Sequence, residues 1–251
     1  MKISVALAYY NGGEYIKEQM DSILDQLGPS DELIISIDSA EDGSMDYLTK
    51  RAQADGRIRL TKGPGKGVVA NFEHAISLCS GQVIFLSDQD DIWEKGKVET
   101  VMKAFEKGDY LAVLHNASLV DAKGVKNGES DLFTLRKSRT GILKNLILNS
   151  YVGCCMAFRR ELLPVILPIP DKMYMHDYWI GTAAELCGRV GLIKRPLIRY
   201  RRHESNVTEM THGSLGFMIR KRLGILYCLI ILIKRRRRIW KGKQKQNLIS
   251  D

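Results

Sequence analysis

Short apolar runs alternate with helically spaced apolar residues along the first half of the chain. This pattern predicts an α/β fold with a mostly parallel central sheet flanked by helices. Polar and acidic residues stand at the ends of the apolar runs, where such sheets bind ligands. The composition is that of a globular chain, with 251 residues of which 45% are hydrophobic and 27% charged. That length permits a sizeable core, and that balance excludes wholesale disorder.

Ile3–Ala8 is the first strand. In Glu14–Gln26, Ile16, Met20, Ile23 and Leu24 fall on one helical face. Leu33–Ile37 is a strand ended by Asp38, Met45–Ala54 a helix, Arg57–Leu60 a strand and Val68–Leu78 a helix. Val83–Leu86 is a fourth strand ending in Ser87-Asp88-Gln89-Asp90-Asp91. Glu94–Glu106 is a helix that Asp91 is placed to cap, and Leu111–His115 a fifth strand. The second half is less regular. Asn127–Arg139 reads as a polar loop, Ile142–Leu148 as a short amphipathic helix and Val152–Phe158 as a strand. Three prolines precede a helix that starts near Met175, and short strands at Leu192–Ile193 and Leu197–Tyr200 flank Pro196.

The net charge of +9 is unevenly spread. Eleven of the 38 basic and one of the 29 acidic residues lie in 213–251, so that tail carries +10 and the rest −1. A near-neutral body with a basic tail argues for an anionic surface as partner of the tail. The apolar stretch Ile225–Ile233 would extend about 14 Å as a helix, too short to cross a bilayer core of about 30 Å. An interfacial helix on an anionic membrane is the expectation. The alternatives are packing on the body or a self-association surface that would make a homo-oligomer. No aromatic interleaving or RNA-binding motif accompanies the arginines, which argues against nucleic acid. The N-terminus is a poor signal peptide. Five cysteines without metal-ligand or CxxC spacing read as reduced thiols, consistent with a cytoplasmic location.

The segment Asp88-Gln89-Asp90-Asp91 concentrates carboxylates that repel one another unless a cation sits among them. Mg²⁺ or Mn²⁺ suits such oxygen ligands together with substrate phosphates. Gly63-Pro64-Gly65-Lys66-Gly67 lacks the spacing of a phosphate loop and reads as a turn, from which Lys66 can approach a diphosphate.

Several segments in order resemble family 2 glycosyltransferases. They are Val5-Ala6-Leu7-Ala8-Tyr9-Tyr10-Asn11-Gly12, Glu41-Asp42-Gly43-Ser44, Asn71-Phe72-Glu73 and Leu86–Trp93, then Gly153-Cys154-Cys155, Met175-His176-Asp177-Tyr178-Trp179 and Tyr200–Asn206. The third and fourth are especially similar to the bacterial rhamnosyltransferase-like subgroup. The resemblance implies a GT-A fold over 1–212, with a nucleotide-sugar-binding half at about 1–115 and an acceptor-binding half at about 116–212. It leaves 213–251 as a basic amphipathic helical tail. It implies inverting transfer of a sugar, rhamnose in that subgroup, from a UDP- or dTDP-sugar to a glycan or lipid-linked acceptor at the inner face of the cell membrane.

Carried over by position, Tyr9, Asp38, Asp42, Lys66, Asn71 and Asp88 would bind the nucleotide-sugar. Asp90, Asp88 and His203 would bind Mg²⁺ or Mn²⁺. Asp177 would be the catalytic base, and His176, Tyr178 and Trp179 would receive the acceptor. Tyr9 replaces a usual small residue, and Asp38–Gly43 carries extra residues, so either Asp38 or Asp42 meets the base. A nucleotidyltransferase acting on sugar phosphates also fits an acidic α/β site, but Ala8–Gly13 lacks its Gly-rich basic loop. A non-catalytic nucleotide-sugar-binding scaffold is the other alternative.

Overall fold

The computed structural model describes residues 1–147, 149–202 and 224–239. His203, and the tail residues on either side of 224–239, lie outside the described residues. Nine strands form one sheet in the order β3-β2-β1-β4-β8-β6-β9-β5, with β7 paired to β6.

β1 (Ile3–Tyr10), β2 (Glu32–Ser39), β3 (Ile58–Lys62) and β4 (Val83–Ser87) are parallel. Between them run α1 (Tyr15–Leu24), α2 (Met45–Ala54) and α3 (Val68–Ser77). β5 (Ile92–Trp93), α4 (Lys97–Lys107) and β6 (Ala112–Val120) follow. The second half comprises β7 (Lys126–Asp131), α5 (Leu132–Arg136), α6 (Ile142–Ile147), β8 (Met156–Arg159), α7 (Leu163–Ile166), α8 (His176–Cys187) and β9 (Val190–Arg201). A final helix, α9, spans 224–239.

Side chains alternate across the sheet and build two cores. Val5, Leu7 and Tyr9 face α1 and α4 through Ile16, Met20, Val101 and Phe105. Ala6, Ile34 and Ile84 face α3, α8 and α9 through Phe72, Ile76, Trp179, Ile225 and Leu232.

Four expectations change. The sheet is mixed, because β8 runs antiparallel to both β4 and β6. The polar stretch 127–139 is not a loop. It forms edge strand β7 on β6, then α5, whose N-terminus Asp131 caps by accepting from Thr134 N at 2.7 Å. Asp91 caps nothing, because Ile92–Trp93 pair with Ile198 and Arg199 and the helix begins only after Gly96 (φ 81°). Pro196 does not split β9. It lies opposite Asn116, whose side chain donates to Lys194 O at 3.0 Å and accepts from Ala117 N and Phe133 N at 2.9 Å. The amide side chain bridges the place where proline has no N–H to give.

The apolar stretch of the tail is helical and packs on the body. Ile225, Cys228 and Leu232 are buried against α7 and α8. Arg235 donates to Val165 O at 3.1 Å, and its guanidinium lies 5.6 Å from the Trp179 ring centroid. Among the described residues, no helix is long and apolar enough to cross a membrane.

Candidate active site

The ends of the neighbouring strands β1, β2 and β4 lie side by side. Gln89 stitches the first to the third, accepting from Tyr10 N at 2.7 Å and donating to Tyr10 O at 2.9 Å. A Cβ at Gly12 would strike this Gln89 side chain, so close approach requires glycine there. From below, Gln19 on α1 donates to Ser87 Oγ and to Asp88 O at 2.7 and 2.8 Å.

Asp38 stands at the end of β2 and Asp42 just beyond it, and their surroundings differ. Asp42 accepts from the Tyr9 hydroxyl at 2.7 Å, Gly13 N at 2.6 Å, Ser44 N at 3.0 Å and Ser44 Oγ at 2.6 Å. Burial would raise its pKa, but the Ser44, Gly13 and Tyr9 donors outweigh this and hold it at about 2. Its acceptor sites are filled, so Asp42 ties the β1 loop to α2. Tyr9 serves the same tie. Its ring is fully buried in the core, and burial together with Asp42 pushes its hydroxyl up to about 12. Tyr9 and Asp42, both expected to bind the nucleotide-sugar, are thus joined to each other and to Ser44.

Asp38 accepts from Gly65 N at 2.9 Å, and a Cβ on Gly63 would strike both Asp38 and Asn71 Oδ1. Asp38, Gly63 and Asn71 therefore form one wall. Asn71 is buried and donates to Tyr9 O at 3.1 Å, while its Oδ1 has no partner among the described residues. Lys66 is exposed on the adjoining loop.

Beyond β4, Asp88, Asp91 and Cys154 each offer a ligand atom, all within 4.8 Å of one another. Desolvation, then the Asp90 and Asp177 charges, push Asp88 up to about 7. Asp91 is raised too, by burial and then by Asp90 and Asp88. Its Oδ1 accepts from Arg201 N at 3.0 Å, and its Oδ2 is buried without a partner among the described residues. Two crowded carboxylates with an orphaned oxygen between them fit a divalent cation. The expected ligand Asp90 lies outside this group, and Asp91, expected to be a cap, lies inside it.

Two cations frame the group. Lys97 is fully buried, 3.9 Å from the Trp93 ring centroid, and donates to Cys154 O at 3.1 Å. Burial lowers it to about 8. Arg201 is 3% exposed and donates to Asp90 O, Ala122 O and Glu18 Oε2, each at 2.8 Å. Sequence reasoning missed Lys97, Cys154 and the part played by Arg201. Only the Gly153-Cys154-Cys155 and Tyr200–Asn206 segments carried a signal, and none marked Lys97.

Asp177 opens α8 and is 3% exposed. Its Oδ1 accepts from Tyr178 N at 2.6 Å. Desolvation raises it to about 6 against that hydrogen bond and the Arg136 charge. His176 stacks on Phe72 at 3.8 Å, with neither ring nitrogen partnered among the described residues. Burial lowers it to about 3, so it is neutral. Gly153 is its floor, since a Cβ there would come within 2.7 Å of Nε2. Tyr178 and Trp179 were expected to receive an acceptor, but α8 is covered on all sides over 176–184. Trp179 donates to Ile166 O at 2.8 Å, and Tyr178 packs edge-on to Tyr151. Both rings belong to the core, and His176 and Asp177 beside them are buried as well.

A parallel half-sheet with an acidic group and a desolvated carboxylate at its strand ends is the GT-A arrangement. S. aureus TarS in complex with UDP-GlcNAc shares the fold at a TM-score of 0.67 and 17% identity, covering 94% of this chain and 72% of that one. The chain belongs to glycosyl transferase family 2, whose model matches residues 4–167. An uncharacterized glycosyltransferase of Nostoc sp. is 26% identical over 215 residues, covering 82% of this chain. Chondroitin synthase of Pasteurella multocida is 28% identical over 116 residues, covering 46% of this chain. The chain spans 66% and 12% of those two relatives, less than two thirds of each.

Proposed function

We propose that this chain moves a sugar from a UDP- or dTDP-sugar to a hydroxyl of a glycan or lipid-linked acceptor, with inversion. One observation carries the reading: a desolvated carboxylate, Asp177, faces an acidic group at the strand ends, close enough that its charge raises Asp88. A TarS complex with UDP-GlcNAc supports the donor class, and likeness to a chondroitin synthase supports a polysaccharide acceptor. The resemblance of Asn71-Phe72-Glu73 and Leu86–Trp93 to rhamnosyltransferase-like proteins favours rhamnose.

Asp38, Gly63 and Asn71 hold the nucleoside. Lys66 reaches toward the diphosphate. Asp88 and Asp91, with Asp90 and His203, would hold Mg²⁺ or Mn²⁺. When bound, the cation supplies positive charge against the departing diphosphate. Asp177, ionised above about pH 6, takes the proton of the acceptor hydroxyl. The acceptor oxygen forms its bond to the anomeric carbon from the face opposite the leaving group, and the carbon–oxygen bond to the diphosphate breaks. His176, neutral beside Asp177, offers a hydrogen bond to the acceptor without adding charge. The basic tail 213–251 brings the enzyme to the anionic inner face of the cell membrane, where lipid-linked acceptors are found.

Family membership favours this reading over the nucleotidyltransferase alternative. A binding scaffold would show no turnover, so release of nucleoside diphosphate from a panel of nucleotide-sugars with Mn²⁺ separates the two. Turnover of one donor by wild type and its loss in Asp177→Asn is expected. Equal turnover by both would remove Asp177 as base.

A further inference from the structure

The tail was read above as a basic address. The structure adds that its helix α9 is clamped to the body and still leaves one face uncovered. Ile225, Cys228 and Leu232 turn inward, and Arg235 joins them by its bond to Val165 O and its place over Trp179. Trp179 is bound in turn to Ile166 O. α9 is therefore fastened to α7 and to α8, the helix whose first turn carries Asp177.

The opposite face is built in two halves. Toward the N-terminus, Leu226, Tyr227 and Ile230 are 53%, 47% and 47% exposed. Tyr227 is steadied by Lys172, whose Nζ lies 4.8 Å from the ring centroid. Toward the C-terminus, Lys234, Arg236, Arg237 and Arg238 are exposed, with no acid in 224–239. Positions 226, 230, 234 and 237 lie along one stripe at helical spacing.

We propose that this stripe is a membrane-binding face, rigid with the catalytic body: Leu226, Tyr227 and Ile230 enter the acyl boundary of an anionic bilayer and Lys234, Arg237 and Arg238 meet its headgroups. The proposal rests on the membrane reading given above and deepens it. A charged tether would need the basic residues alone. Here an apolar patch sits beside them on the same stripe, the pairing that interfacial helices use. The sixteen residues of 224–239 make a helix of about 24 Å, shorter than a bilayer core. Charge complementarity selects the occupant, since a cluster of four cations favours anionic lipid. A second copy fits less well. Three apolar side chains fall far short of the roughly 800 Å² per partner that a stable interface buries. Because α9 is fastened beside α8, binding by this face holds the catalytic site at a fixed height and tilt over the lipid.

The test uses the full chain and flotation with phosphatidylcholine vesicles, with and without phosphatidylglycerol. Two combined variants are compared with wild type: Leu226→Ser/Tyr227→Ser/Ile230→Ser and Lys234→Glu/Arg237→Glu/Arg238→Glu. Thermal melts check folding, and nucleoside diphosphate binding in solution is expected to be unchanged in both. Wild type should float with anionic vesicles only, and each variant should bind at least about tenfold more weakly. If the serine variant binds like wild type and the glutamate variant does not, the rigid face is overturned while the basic address survives. If wild type fails to float, both fall. If wild type is a dimer that the serine variant dissolves, the face is an interface between copies and the lipid proposal is overturned.

Discussion

Arg201 donates from Nε to the main-chain carbonyl of Asp90 at 2.8 Å, and from its own N–H to Asp91 Oδ1 at 3.0 Å. One buried residue at the end of β9 thus sets the backbone and a carboxylate of the acidic segment. Its other donors reach Ala122 O and Glu18, and its guanidinium lies 4.7 Å from the Tyr15 ring centroid. Arg201→Ala should cost about 2 kcal/mol of stability through unsatisfied buried carbonyls. It should also weaken Mn²⁺ binding in the fraction that stays folded. Calorimetric titration of Mn²⁺ checks this, and Arg201→Lys should recover stability better than cation affinity, because lysine lacks the planar fork.

Asp177 has its pKa raised to about 6 by burial. As a base it works ionised, so the rate should rise with pH through about 6 and level off above it. Asp177→Asn should keep donor affinity and lower turnover by about a hundredfold or more. A rate that increases below pH 6 would contradict the role.

Asp88, raised to about 7, must lose a proton to accept a cation. Mn²⁺ affinity should therefore fall as pH drops from 8 to 6, by up to about tenfold per pH unit for each proton displaced. Stability without metal moves oppositely. A carboxyl raised above its unfolded pKa contributes stability that is complete below about pH 4 and lost as pH rises through about 7. Melting curves with EDTA and with Mn²⁺ at several pH values should diverge most above pH 7.

Asp38 and Asp42 should separate cleanly. Asp38→Ala should weaken nucleoside diphosphate binding by about tenfold, the loss of one charge-assisted hydrogen bond, with little change in melting temperature. Asp42→Ala should lower stability by about 1 kcal/mol, since the carboxylate is exposed and none of its four hydrogen bonds is fully buried. The Asp42 contribution is present above its ordinary pKa near 4 and is lost as pH falls through about 2.

Gly153→Ala should push His176 off its stack on Phe72, because the new methyl meets Nε2 at 2.7 Å. A cost of about 2 kcal/mol is expected for overpacking, together with reduced turnover. Gly153→Ser should be worse on both counts.

The parallel half of the fold was legible because its strands are short, buried and separated by amphipathic helices, so period alone marks them. β7 was not, since edge pairing with β6 leaves no apolar alternation. β9 was read as two strands, because only the three-dimensional partner reveals that Asn116 bridges Pro196. Asp38 and Asp88 stand out in the sequence at the ends of strands, while Asn71 and Asp177 enter the candidate site only through the family resemblance. Tyr9, Tyr178 and Trp179 are buried, and nothing local in the sequence tells an aromatic platform from a core ring. Lys97 and Cys154 lie far apart in the chain and meet under Asp88 and Asp91 only after the sheet closes. A helix that packs on the body and yet keeps an exposed apolar stripe was beyond reach of periodicity, which gives the faces of α9 but not their neighbours.

The most direct measurement is calorimetric titration of nucleoside diphosphates into wild type and Asp88→Asn, each with and without Mn²⁺. A cation-holding donor site requires that one diphosphate bind wild type tightly with Mn²⁺ and at least about tenfold more weakly without it, and that Asp88→Asn lose the difference. Binding of equal strength with and without Mn²⁺, or a cation effect that survives in Asp88→Asn, would contradict the acidic group as the place where metal and nucleotide meet.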